Sequence, residues 1–173
     1  ETPDEAHAGN FVGRPAPAAL QQMCAPCHEK EVKAFDASPH AAAVRRGDPG
    51  SATCVSCHVR PAAATAHAIA DCGEEDAPSG PFQVAATCAR CHSDPAAMRR
   101  SGLRTDQLAQ YAASAHGHNV LEEKEGDAAT CADCHAPHEA PSARDPRSPT
   151  HPRNQANLCG SCHADAPLMT PHG

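Results

Sequence analysis

Five short segments of this 173-residue chain set two cysteines and a histidine in the same order and spacing. They read CAPCH (Cys24, Cys27, His28), CVSCH (Cys54, Cys57, His58), CARCH (Cys88, Cys91, His92), CADCH (Cys131, Cys134, His135) and CGSCH (Cys159, Cys162, His163). Cys-x-x-Cys-His is the attachment signature of c-type haem. Two thiols add across the two vinyl groups of one porphyrin edge, and the adjacent histidine gives its imidazole nitrogen to the iron. Two intervening residues let one turn of backbone reach both vinyls. Other cysteine chemistries account for less of the pattern. Zinc ribbons use Cys-x-x-Cys pairs, but five pairs do not divide evenly into four-ligand sites and no histidine need follow each. A thioredoxin-like redox motif is single and sits in a βαβ context. A disulfide framework leaves the repeated histidine unexplained. The sequence therefore predicts five covalently bound haem c groups.

A haem iron takes four ligands from the porphyrin and one from the motif histidine. A side chain in the sixth position makes an electron-transfer haem, and an open sixth position lets a substrate bind. Eight of the thirteen histidines lie outside the motifs: His7, His40, His67, His116, His118, His138, His151 and His172. Five haems need five. His40, His67, His116, His138 and His172 are the candidate distal ligands, with His118, His151 and His7 as weaker ones. Met23, Met98 and Met169 read as packing residues. A shared offset after the odd-numbered motifs (FDASPH, YAASAH, LMTPH) assigns His40 to the first haem, His116 to the third and His172 to the fifth. His138 follows His135 by three residues, a tether too short to reach the far face of the same haem. It is assigned to the second haem and His67 to the fourth, with a local bond from His67 to the second haem as the rival.

The elements that must hold these residues form a repeat. Residues 24–87 and 88–158 look like two copies of a two-haem unit, and 159–173 begins a third. Residues 1–19 form an N-terminal arm, and 20–173 a single domain. The expected fold class is mostly irregular with short α-helices around a stacked haem core, and little or no β-sheet. PAPAALQQMCAPCH opens with prolines suited to a first helical turn and leads into the first motif, as PFQVAATCARCH leads into the third. TDQLAQYAASAH predicts one helix, capped by Thr105, with His116 at its end. GDPGSAT, DCGEEDAPSGP and APSARDPRSPTHP read as loops.

Composition agrees with a cofactor-built core. The chain has no Trp, one Tyr and three Phe against 17 Pro and 11 Gly, which without a cofactor is close to a disordered composition. The apoprotein is expected to be largely unfolded, as in small metal-dependent domains. A net charge of −7 excludes the basic footprint of a nucleic-acid binder and suits redox partners with basic docking patches. No apolar run reaches the roughly 18–20 residues of a membrane span. The chain starts at Glu1 without a basic-plus-apolar leader, so the expectation is an exported protein, periplasmic or extracellular, with its signal peptide removed. Cys72, the eleventh cysteine, reads as a free loop thiol, with an intermolecular disulfide as the alternative.

The order CxxCH, FDxxH, CxxCH, H, CxxCH, SxH, CxxCHxxH, CxxCH resembles the pentahaem electron-transfer proteins of the NrfB type. It equally resembles each five-haem half of the MtrA/DmsE-type decahaem cytochromes. The resemblance runs over residues 20–172 and implies a closely spaced chain of bis-histidine haems. Such a chain carries electrons between a quinol-linked donor and a terminal reductase, or outward across an outer membrane. With five motifs, the sequence corresponds to one half of the decahaem type. The acidic run EEKEGD, residues 122–127, reads as a solvated loop, with a partner-facing loop as the alternative. Three other functions compete with the simple carrier. One is a reductase with an open haem, disfavoured because all five motifs end in histidine. The second is a haem filament in which His7 or His172 ligates a haem of the next subunit. The third is membership of a larger membrane-bound redox complex.

Overall fold

The computed structural model describes residues 16–60, 69–70, 74 and 76–170. Its helices are short: α1 Pro17–Cys24, α2 Glu29–Asp36, α3 Pro39–Arg45, α4 Cys54–His58, α5 Val84–His92, α6 Pro95–Met98, α7 Gln107–Ala112, α8 Ala115–His118, α9 Cys131–His135, α10 Gln155–His163 and α11 Ala166–Met169. A π-helical segment, Asn119–Glu123, continues α8. Among the described residues the only extended pairing is one antiparallel bridge, Val59 to Ile69. The described residues thus form short helices in irregular chain, without strands.

The same local devices recur. Ser38 Oγ accepts the Ala41 N–H at 3.0 Å and starts α3. Ser114 Oγ accepts the Gly117 N–H at 3.1 Å and starts α8. In both turns the serine N–H donates to the carbonyl of an aromatic residue three back, Phe35 at 2.8 Å and Tyr111 at 2.9 Å. Motifs two and four are separate helices entered through a threonine. The Thr53 N–H donates to Ser56 Oγ at 3.0 Å and the Thr130 N–H to Asp133 Oδ2 at 2.7 Å, the back-bond of a capping box. Motifs three and five instead finish the nine-residue helices α5 and α10. Each is followed by an aspartate-capped short helix, in which Asp94 accepts from Ala96 N–H at 2.7 Å and Asp165 from Leu168 N–H at 3.3 Å.

Two helix expectations change. The single helix expected over 105–116 is two. It breaks at Ser114, because the serine caps a new helix, so His116 lies in the first turn of α8 and not at a helix end. Asp106, and not Thr105, precedes α7. The helix before the third motif begins at Val84, three residues beyond Pro81.

Apolar burial is thin. The buried hydrophobic residues are Phe35, Ala41, Val44, Ala70, Ala77, Val84, Ala85 and Val120. Polar cross-links do much of the joining. Arg100 donates to Asp48 at 3.0 Å across 52 positions, Arg90 donates to the Ser56 carbonyl, and Arg60 holds Glu74 and Asp76.

Candidate haem-binding site

Each motif sits on a helical turn, which fixes how its three side chains leave the backbone. Motifs two and four occupy whole five-residue helices, and motifs three and five the last turns of α5 and α10. In the first motif α1 ends at Cys24, a turn follows, and His28 precedes α2. The ten motif cysteines are free thiols, and none is fully buried.

The motifs are neighbours in the order of the sequence. Burial first, then the nearby thiol of Cys24, pushes the Cys54 thiol up. Cys57 is pushed up by burial and then, against the pull of Arg90, by Cys91. Cys88 and Cys131 hydrogen-bond each other, which raises Cys88 and lowers Cys131 to about 7. Cys134 is raised by burial, and further by Asp133, Cys131, Cys159 and Cys162.

Three of the motif histidines face histidines from outside the motifs. His40 lies against His92 with ring centres 6.1 Å apart. His138 lies against His58 at 6.2 Å, and His116 against His163 at 5.9 Å. Two imidazoles bound through nitrogen on opposite sides of one metal, each at about 2 Å, have ring centres roughly 6 Å apart. Desolvation lowers the proton affinity of His40, His58 and His92, and the nearby imidazoles of His92 on His40, of His138 and His28 on His58, and of His135 on His92 lower it further. Burial thus favours the neutral form of these three imidazoles, the form that donates a lone pair to iron. Among the described residues no three His, Cys, Asp or Glu side chains converge on one point to hold a metal ion. The histidine pairs suit a metal that brings its own planar donors. The free thiols and paired imidazoles fit haem c.

His138 thus faces His58, the ring expected of it. His40 and His116 do not face the rings that their offsets suggested, His28 and His92. Between His28 and His40 runs α2, whose eight residues span roughly 12 Å at 1.5 Å per residue. Likewise α6, α7 and the turns between them separate His116 from His92.

Close to the fourth motif, Ala136 adopts a left-handed conformation, φ 48°. This reversal directly after His135 turns the chain, so that His138 departs toward His58. Gly117, between His116 and His118, lies so close to α7 that a Cβ would sit 1.9 Å from the Tyr111 carbonyl oxygen. The value of these two positions, one alanine and one glycine, was not visible from the motif pattern. The Gly in SAHGH was the only signal.

The weaker candidates stand apart. His118 Nε2 is 3.4 Å from Glu123. His151 Nδ1 accepts the Arg153 N–H at 3.2 Å. Met23 is exposed, and Met98 Sδ accepts from Ser101 Oγ at 3.6 Å. His7, His67, His172 and Cys72 lie outside the described residues. No described helix is long and apolar enough to cross a membrane.

Residues 118–167 match a family model described as a doubled CXXCH motif, which takes in the fourth and fifth motifs. No curated protein and no solved structure matched the chain. The family match supports covalent haem c binding and electron transfer by a multihaem c-type cytochrome.

Proposed function

We propose that the chain carries electrons through five covalently bound haems with bis-histidine ligation. The carrying observation is that three motif histidines each face a histidine from another part of the chain at about 6 Å. The ten motif cysteines hold the haems, and His28, His58, His92, His135 and His163 are the proximal ligands. His40, His138 and His116 are distal ligands. His67 is put forward for the haem of His135, and either His7 or His172 for that of His28. Bound haem supplies a one-electron iron couple. The residues of this chain keep imidazoles neutral and aimed, exclude exogenous ligands from the iron, and set neighbouring motifs close enough to pass charge along.

The two-haem units, residues 24–87 and 88–158 with a partial third at 159–173, would form one domain, 20–173, behind an arm, 1–19. The NrfB-type and MtrA/DmsE-type resemblance suggests work outside the cytoplasmic membrane, in the periplasm or beyond it. The acidic surface suits partners with basic docking patches.

Visible spectra of the purified protein, oxidised and dithionite-reduced, with and without carbon monoxide, test this reading. The expected result is five haems by pyridine haemochrome, all low-spin and indifferent to carbon monoxide. A haem that binds carbon monoxide would move the protein toward the reductase reading. The contact of His116 with His163 also favours a second reading. It frees His172 from the fifth haem, where the offset had put it, for a haem of a second copy in a filament or complex. Assembly that rises with concentration and is lost in His172→Ala would support that reading. A monomer at all concentrations would exclude it.

A further inference from the structure

The three facing histidine pairs share a rule that neither the motifs nor the family match contains. Among the described residues, each pair joins one motif histidine to one histidine from outside the motifs. None joins a motif to the segment that directly follows it. His40 follows the first motif and meets the third. His116 follows the third motif and meets the fifth. His138 follows the fourth motif and meets the second. The step is always two motifs. It runs forward from the Ser-capped turns and backward from the Ala136 turn.

We infer that the sixth ligands are exchanged across the chain by this two-motif step. His40 completes the haem held by Cys88, Cys91 and His92. His116 completes that of Cys159, Cys162 and His163, and His138 that of Cys54, Cys57 and His58. The inference deepens the electron-carrier reading and rests on it.

Three features carry it. First, the separations of 5.9, 6.1 and 6.2 Å are too long for a ring-to-ring hydrogen bond, which puts ring centres at roughly 5 Å. With interplanar angles of 46°, 67° and 22° in the same order, they have the centre-to-centre spacing of two imidazoles on one iron. Second, the two forward-reaching histidines occupy the same place in the same device. Each is the second residue of a helix whose serine cap holds the first turn, at 3.0 Å in one and 3.1 Å in the other. Two segments built alike deliver a ring to the same kind of target. Third, Ala136 takes a left-handed φ that an alanine pays for, and the turn it makes parts His138 from its own motif. The exchange ties the first, third and fifth motif regions in one series and the fourth to the second. Loss of one distal histidine thus opens a haem in a different repeat.

The test locates the opened haem. In holoprotein carrying His40→Ala, carbon monoxide should bind the reduced protein at one haem per chain, against none in the wild type. The variant is then combined with Cys88→Ala/Cys91→Ala, which removes the third haem, or with Cys24→Ala/Cys27→Ala, which removes the first. The exchange predicts that the carbon monoxide signal disappears in the former background and persists in the latter. The reverse pattern, or no carbon monoxide binding by His40→Ala, overturns it. Added imidazole should suppress the signal, showing an emptied ligand position and not general unfolding. If the combined variants do not mature, a crystal structure of the unmodified holoprotein decides. His40 bonded to the iron of the Cys88/Cys91 haem supports the exchange, and His40 bonded to that of the Cys24/Cys27 haem overturns it. A wild-type protein without haem would defeat the electron-carrier reading itself. A five-haem protein whose His40→Ala variant opens the first haem would defeat only the exchange.

Discussion

At the scale of single residues, two small side chains set where histidines go. Gly117 has no room for a methyl group, since a Cβ there meets the Tyr111 carbonyl oxygen at 1.9 Å, its carbon at 2.5 Å and Ala112 Cα at 2.9 Å. These are backbone atoms that cannot swing aside. Gly117→Ala should therefore destabilise the holoprotein by about 1–3 kcal/mol, the usual cost of overpacking, and shift His116. Thermal unfolding reads the first effect and the loss of low-spin haem the second. Ala136 is the opposite case. Left-handed backbone costs an alanine roughly 1 kcal/mol and a glycine little. Ala136→Gly should raise the denaturant midpoint or leave it unchanged, and Ala136→Val should lower it. The ten cysteines and five histidines of the CxxCH motifs are read from the sequence alone, because thioether attachment would fix their spacing. Which ring each distal histidine meets was only partly legible. A short tether limits reach, and so His138 was directed to His58. An equal offset only records that two segments are alike, and His40 and His116 lie against His92 and His163 instead of the rings it suggested.

At the scale of elements, caps and turns replace a large apolar core. The loop over residues 141–154 shows this, carrying the chain from the His138 turn to α10. Asp145 accepts from Arg147 Nε at 3.1 Å, Nη2 at 2.7 Å and the backbone N–H at 2.9 Å. The Arg147 side chain, then its backbone N–H, hold the Asp145 carboxyl at about 2, below its ordinary 3.8. The folded value lies below the unfolded one. This contact therefore supports the loop fully above about pH 4 and is lost as the pH falls through about 2. A carboxyl titration by NMR should give an Asp145 midpoint near 2, moving toward 4 in Arg147→Ala. Asn154 Nδ2 adds bonds to the carbonyls of Pro146 at 2.9 Å and Ser148 at 2.8 Å. The loop character was legible from Pro, Ser and Asp content. The break at Ser114 was not, because serine in an alanine-rich run reads as helix until its hydroxyl is seen to accept the Gly117 N–H.

At the scale of the whole molecule, the described residues give the polypeptide few large apolar side chains to pack. Its buried hydrophobic side chains are mostly alanine and valine. Replacing all ten motif cysteines by serine should leave a chain whose far-ultraviolet circular dichroism has lost most helical signal. A cooperative thermal transition in that variant would show that the polypeptide folds without haem.

The contact between His58 and His138 spans eighty positions of chain. A chain synthesised from its N-terminus delivers the second motif long before the ring that faces it. His40 likewise waits for the third motif, and His116 for the fifth. These junctions cannot close in the order in which the chain emerges. Each must be held open until a later segment arrives and its loop-closure entropy is met. Maturation is therefore not a string of finished beads. The molecule stays unlaced through most of its own delivery, and the second motif region is fastened only after the fourth has appeared.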